Sequence, residues 1–350
     1  MKTKEKDSYF EFIRGILIIC VVLIHCQNGI NYKDAAPYSW NYDYWLIFRQ
    51  FINFPVAVFV FLTAYFTDIT KVIEKPWSYL TKRGKRLLIP FLVWSIFYSL
   101  ISVVKQGFDI DIIKIGMTII VGQASTPLYY IVVLIQLVLI TPWLIRCVKN
   151  KYLNIMAFSI TPVYLIIIYG YSYLTKHQIP HYEAVFPAWF VFYYLGLYIK
   201  IKVPGVRKKQ RSIAKALHIV LGALILSIIE CYLMLYLEFP VGFASSQIKV
   251  SSFVYSLSII NLIFVLKENH IKTKECIVTR LGNYSYGIFY VHCFWLLIIS
   301  KVMSYIPYIY NVLPLYQLIE VTAALALSTL SIIITNKIMG KKLSSKFLGF

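Results

Sequence analysis

The sequence predicts an all-α polytopic integral membrane protein, and two observations lead to that fold class. Hydrophobic residues make up 59% of the 350 residues and charged residues only 14%, a balance that soluble domains do not keep over many separate apolar runs. The runs are about 19 to 24 residues long, enough for a helix to cross the ~30 Å hydrocarbon core. We expect one cell-membrane domain over residues 1–350, because the loops between the runs are short.

The sequence contains ten such apolar runs, nine of them within this range of length. They lie at 12–30, 45–67, 87–105, 127–146, 152–174, 185–201, 215–237, 248–266, 282–305 and 313–336. The run at 185–201 is short, and the apolar stretch at 112–121 is too short to count, so we expect that stretch to lie on the surface or to re-enter the membrane. The prediction is therefore about ten transmembrane helices.

The basic residues predict the orientation of these helices. With the N-terminus in the cytoplasm, 27 of the 35 lysines and arginines fall in cytoplasmic segments and six in outside segments, while Arg14 and Arg49 lie within helices. This bias is typical of cytoplasmic loops, and it predicts an even number of spans with both termini cytoplasmic. Because topology explains the net charge of +20, we expect membrane lipids and no nucleic acid as partners.

The first run carries a candidate catalytic group formed by Glu11, Arg14 and His25. Arg14 and His25 are eleven residues apart, which brings their side chains to within ~20° of one direction and ~16 Å apart along a helix. Glu11, three residues before Arg14, is close enough to hold its guanidinium. Ionisable residues inside a membrane are functional by default. The alternative is an Arg14 that extends to the interface and a His25 that only packs.

The first run also lacks a small-residue cleavage signature, so we expect it to be retained as a helix. The six cysteines are scattered without CxxC spacing. No disulfide framework and no metal site is predicted from them.

A second cluster, of four cations, precedes the third apolar run. It consists of Lys82, Arg83, Lys85 and Arg86, and we expect it at the cytoplasmic mouth of the third helix. Guanidinium groups grip phosphate oxygens bidentately, so the cluster is a candidate phosphate site. The alternative is an ordinary cytoplasmic loop that meets anionic lipid headgroups.

A third cluster lies at 281–292, where Ser285 and His292 are seven residues apart and share a helix face. His292 should lie at a depth comparable with His25, so it either lines the same cavity or serves in packing. Two further carboxylates inside the membrane, Glu230 and Glu320, each need a partner or a raised pKa. Arg49 is the nearest candidate partner by depth.

Five motifs, taken in order, resemble the acyltransferase 3 family of integral membrane acyltransferases. They are Glu11, Arg14 and Gly15 with His25; the Phe-rich run 58–65; the basic run with Ile-Pro-Phe at 82–91; the aromatic-Leu-Gly segment 192–196; and the segment 281–292. The second motif has Thr63 and Ala64 where the family has Ser-Gly. The chain is similar also to polysaccharide intercellular adhesin type membrane proteins.

One departure concerns the start of the fourth helix. Many members have His-Leu-Trp-Phe-Leu there, whereas this chain has Thr126 and Pro127 followed by Leu128, Tyr129 and Tyr130. Roles that belong to that His or Trp are not carried over to this sequence.

The resemblance implies an O-acyltransferase that moves an acyl group, commonly acetyl, from cytoplasmic acetyl-CoA or another acyl-CoA to a hydroxyl of a surface polysaccharide or lipid-linked glycan. His25 would act as base or acyl carrier, with Arg14 and Glu11 beside it. Arg14 and the cluster at 82–86 would bind CoA, and Ser285, His292, Tyr129 and Tyr130 would shape the site. Polysaccharide-synthesis proteins are possible partners. The alternative functions are an exporter or flippase of the glycan itself and a silent membrane scaffold.

Overall fold

The computed structural model describes residues 8–26, 39–108, 111–203, 211–270, 273–306 and 312–350. Several basic residues that enter the orientation prediction lie outside these residues: Lys2, Lys4, Lys6, Lys33, Arg207, Lys208, Lys209 and Lys272. Every regular element in the described part is a helix, which confirms the all-α prediction.

The α-helices are α1 (Ser8–His25), α2 (Trp40–Phe51), α3 (Pro55–Tyr65), α4 (Ile69–Glu74), α5 (Pro76–Lys105), α6 (Ile112–Ile120), α7 (Tyr129–Cys147), α8 (Lys151–Thr175), α9 (Phe190–Lys202), α10 (Ile213–Tyr236), α11 (Val241–Ala244), α12 (Val250–Glu268), α13 (Ile277–Met303), α14 (Leu313–Met339) and α15 (Lys341–Phe347). Short 3-10 turns at Thr126–Leu128 and Phe186–Ala188 precede α7 and α9.

Nine helical segments in the described ranges are long and apolar enough to cross a membrane. The predicted run at 185–201 is not among them, because α9 has 13 residues and rises only ~20 Å, against ~30 Å for the hydrocarbon core. The count of ten therefore does not follow from helix length. The uncounted stretch at 112–121 forms the nine-residue α6, which has no buried residue.

The second span is broken in the middle, between α2 and α3. Pro55 is the first residue of α3, a position where proline loses no helical hydrogen bond. The side chain of Asn53 lies in the break and donates hydrogen bonds of 3.0 Å to the carbonyl oxygens of Ser245 and Ser246. The break is thus tied to the loop that follows α11.

The cations at 82–86, expected at the mouth of the third helix, lie within that helix. α5 begins at Pro76, well before the apolar run, because lysine and arginine are themselves good helix formers. The four cations therefore occupy two faces of one helix. Arg83 and Arg86 share one face, and Lys82 and Lys85 share the next.

Two glycines let α1 and α13 approach each other closely. A Cβ atom added at Gly15 would overlap the Val278 carbonyl oxygen, and one added at Gly282 would overlap the Glu11 carbonyl oxygen. Small residues allow such backbone contact between membrane helices. The contact brings Glu11 and Arg14 beside the start of the 281–292 segment.

Candidate active site

Two cavities of about 400 Å³ each adjoin one another inside the bundle. We call the first the arginine chamber; its lining includes Glu11, Arg14, Ile18, Thr63, Phe66, Arg83, Arg86, Leu134, Asn283, Ser285 and Tyr286. We call the second the histidine chamber; its lining includes Val21, His25, Arg49, Val56, Gln123, Tyr129, Gln178, His181, Glu183, Trp189 and Gln247. Phe59, Tyr130 and Phe289 line both chambers.

The chambers follow each other along the helix axes. On α1, Arg14 lines one chamber and His25 the other, on a single stripe as the eleven-residue spacing predicts. On α3 the order is reversed, with Val56 at the histidine chamber and Thr63 at the arginine chamber. The two cavities therefore lie one after the other along the helix axes, with the levels of Arg14 and His25 ~16 Å apart.

Three arginine side chains give the arginine chamber an excess of positive charge. The guanidinium of Arg14 donates a 2.8 Å hydrogen bond to Glu11 Oε1 and lies 5.2 Å from the ring centroid of Phe66. Arg83 and Arg86 line the same cavity, and within the described residues neither forms an ion pair. Three guanidinium groups thus face one carboxylate, an arrangement that suits a multiply charged anion.

Lys82 and Lys85, which were predicted to bind the cofactor together with the arginines, do not line either chamber. Both residues are exposed, as Arg86 is. Of the predicted cluster, only Arg83 and Arg86 line the same chamber as Arg14.

The histidine chamber combines an imidazole with polar and aromatic side chains. His25 ends α1, and the guanidinium of Arg49 donates a 3.2 Å hydrogen bond to the Ile24 carbonyl oxygen one residue earlier. The rings of Tyr129 and Trp189 stack with centroids 6.4 Å apart. Amides, hydroxyls and flat rings of this kind bind hydroxyl-rich ligands by hydrogen bonding and face contact.

His292 lies behind His25 instead of lining the cavity. The two ring centroids are 5.4 Å apart, but His292 is fully buried, and its Nδ1 lies 2.9 Å from the Ile288 carbonyl oxygen. Ser285, which the spacing placed on the same helix face, lines the arginine chamber. Ser285 and His292 therefore lie at different depths, Ser285 at the arginine chamber and His292 behind His25.

Sequence reasoning missed most of the polar residues of the histidine chamber. They come from loops, with Gln178, His181 and Glu183 between α8 and α9, and Gln247 between α11 and α12. Loop residues carry no helical periodicity, so the only available signal was the polar composition of these segments.

The loop before α12 is held by a buried ion pair that also corrects a sequence expectation. The Nζ atom of Lys249, which is fully buried, lies 3.6 Å from Glu230 Oε2. Tyr169 donates a 2.6 Å hydrogen bond to the other oxygen of Glu230. Lys249, and not Arg49, the nearest candidate by depth, is thus the ion-pair partner of Glu230, and it anchors the segment that carries Gln247.

No group of three or more His, Cys, Asp or Glu side chains in the described ranges is arranged to hold a metal ion.

Fold and site define a multi-pass membrane protein with an arginine-lined chamber next to a chamber lined by an imidazole. The chain belongs to the acyltransferase 3 family, whose model, described as an acyltransferase domain, matches residues 7–336. It is similar to the protein named "Putative membrane-bound acyltransferase YfiQ" of Bacillus subtilis (strain 168), with 23% identity over 305 residues that cover 82% of this chain and 80% of that protein. No solved structure matches the chain. The resemblance drawn from the five motifs is thus confirmed.

Proposed function

We propose that this protein transfers an acyl group, acetyl in the first instance, from cytoplasmic acyl-CoA to a hydroxyl of a surface or lipid-linked glycan. Family membership supports acyl transfer. The observation that carries the finer proposal is the adjoining pair of chambers, one lined by three arginines and the other by His25. Donor and acceptor then enter from opposite ends and meet near the shared wall.

The arginine chamber is suited to the charged half of the donor. CoA carries phosphates that cannot cross a bilayer, since burying an unpaired charge is very costly. Arg14, Arg83 and Arg86 offer guanidinium groups to those oxygens, while the uncharged acyl end extends toward His25. Glu11 acts as a positioning residue, because its carboxylate fixes the guanidinium of Arg14.

His25 serves the acyl-transfer step in one of two ways. As a base, it takes the proton of the acceptor hydroxyl while that oxygen attacks the thioester carbon and CoA leaves as the thiolate. As an acyl carrier, its ring nitrogen displaces CoA first and then passes the acyl group to the hydroxyl. Either route needs a neutral imidazole exposed to both substrates, and His25 lines the chamber on the acceptor side.

The same geometry supports ten membrane crossings with both termini cytoplasmic. The loops before α9 and after α10 both line the histidine chamber, so the chain leaves that end and returns to it between Glu183 and Gly242. Lys200, near the end of α9, lies 5.5 Å from the ring centroid of Tyr65, which ends α3 at the arginine-chamber end. The short α9 with its preceding 3-10 turn then makes the missing crossing.

Membranes from cells that produce the protein test this proposal when they are given radiolabelled acetyl-CoA. We expect alkali-labile label on glycan with the wild-type chain. His25→Ala should lower the rate by ~10² to 10⁴-fold, the usual contribution of general acid–base catalysis, while the protein stays in the membrane. Wild-type activity in His25→Ala would contradict the role of His25, and movement of glycan across the membrane without acyl label would favour export.

A further inference from the structure

We infer that Phe59, Tyr130 and Phe289 form an aromatic partition that restricts the donor to short acyl groups of about acetyl size. The inference rests on the proposed function and specifies the donor. These three residues are the ones that line both chambers. An acyl group that travels from the arginine chamber to His25 therefore has to pass their rings.

The partition is built on three different helices, α3, α7 and α13. The rings of Tyr130 and Phe289 meet edge to face with centroids 5.5 Å apart. Both side chains are less than one tenth exposed, whereas Phe59 is half-buried. Because helix backbones are fixed by packing, an opening between the rings requires rotation of these side chains.

The partition also adjoins the imidazole rings of His292 and His25. The ring of Phe289 lies 6.4 Å from that of His292, which in turn lies 5.4 Å from His25. An acyl chain that emerges past the rings thus enters the histidine chamber beside His25. That chamber, of about 400 Å³, must hold the acceptor at the same time.

Each methylene added to the acyl chain must therefore lie between the rings or take space from the acceptor. In a pocket of fixed size, one methylene changes kcat/KM by roughly 10- to 200-fold. We expect acetyl-CoA to be the best donor, with kcat/KM falling at each step through propionyl-CoA to butyryl-CoA.

The test compares acetyl-, propionyl-, butyryl- and hexanoyl-CoA as donors for the wild type, Phe59→Ala and Phe289→Leu. Phe294→Ala is the matched control, since Phe294 lies on the same helix as Phe289 but packs against Phe97 of α5, with centroids 5.5 Å apart. We expect Phe59→Ala and Phe289→Leu to raise the ratio of butyryl to acetyl transfer at least tenfold. Phe294→Ala should leave that ratio unchanged.

Two results would overturn the inference while the proposed function stands: equal transfer of acetyl and butyryl groups by the wild type, or an unaltered donor ratio in whichever partition variant retains acetyl transfer. A change of the same size in Phe294→Ala would also overturn it, because general loosening of the bundle would then explain the effect. Absence of transfer from every acyl-CoA by the wild type would overturn the proposed function as well.

Discussion

The imidazole rings of His25 and His292 lie 5.4 Å apart, centroid to centroid, with their planes tilted by 45°. His25 lines the histidine chamber, whereas His292 is fully enclosed behind it. The ring of His292 is held through its Nδ1 by the Ile288 carbonyl oxygen. A group in this place reaches substrate only through His25.

We predict that His292→Gln lowers acyl transfer less than His25→Ala does. The double variant should be no slower than His25→Ala alone, because residues that act as one unit give non-additive losses. The measurement is kcat for acetyl transfer by all three variants. Losses that multiply in the double variant would show that His292 acts independently of His25.

We predict that replacing Arg83 and Arg86 together with glutamine weakens acetyl-CoA binding at least tenfold and reduces its salt dependence. Charge-assisted hydrogen bonds contribute ~1.5 to 3 kcal/mol each. The matched control is the exchange of Lys82 and Lys85 for glutamine, which removes the same charge from residues of α5 that line neither chamber. The measurement is a titration of each double variant with acetyl-CoA at two salt concentrations. Equal losses of affinity in both double variants would mean that only the general surface charge contributes to binding.

We predict that Gly282→Ala destabilises the protein by about 1 to 3 kcal/mol, the usual cost of overpacking. The new methyl group would overlap the Glu11 carbonyl oxygen and push α1 away from α13. Gly222→Ala in α10 is the control, since a Cβ there meets no atom within 4 Å. Thermal unfolding in detergent measures both variants, and equal stability of the two would argue against the close helix contact.

The sequence predicted the helical class because membrane helices appear as long apolar runs. It also predicted which side chains of α1 share a face, because the helical repeat is regular. The spacing of Arg14 and His25 was enough to place them on one stripe, since a helix fixes the angle between them. Helix ends were less predictable: α5 begins at Pro76 instead of near Leu87, because charged residues extend a helix as readily as apolar ones.

Which residues line the chambers depends on tertiary contacts between distant segments, and these cannot be predicted from a single sequence. Gln178 and Gln247 reach the histidine chamber from loops that are far apart in the chain. The spacing of three residues predicts that Lys82 and Lys85 share one face of α5 and that Arg83 and Arg86 share another. Which of the two pairs lines the cavity depends on how α5 packs, and the sequence does not show that.

We predict that reporters fused after Asn150, Lys202 and Glu268 read cytoplasmic, while those after Lys176 and Glu238 read outside. This pattern follows if α9 crosses the membrane in spite of its 13 residues, as the loops around the histidine chamber require. A cytoplasmic signal at Glu238 together with an outside signal at Lys202 would contradict the ten-crossing arrangement.

We propose that one protein passes an acyl group from the arginine chamber to an acceptor on the opposite side of the membrane. Sealed inside-out vesicles from producing cells test it most directly, because added acetyl-CoA meets only the cytoplasmic face and the surface glycans are enclosed. We expect ester-linked label on the enclosed glycan with the wild type and none with His25→Ala. Label that appears only after the vesicles are opened would contradict it.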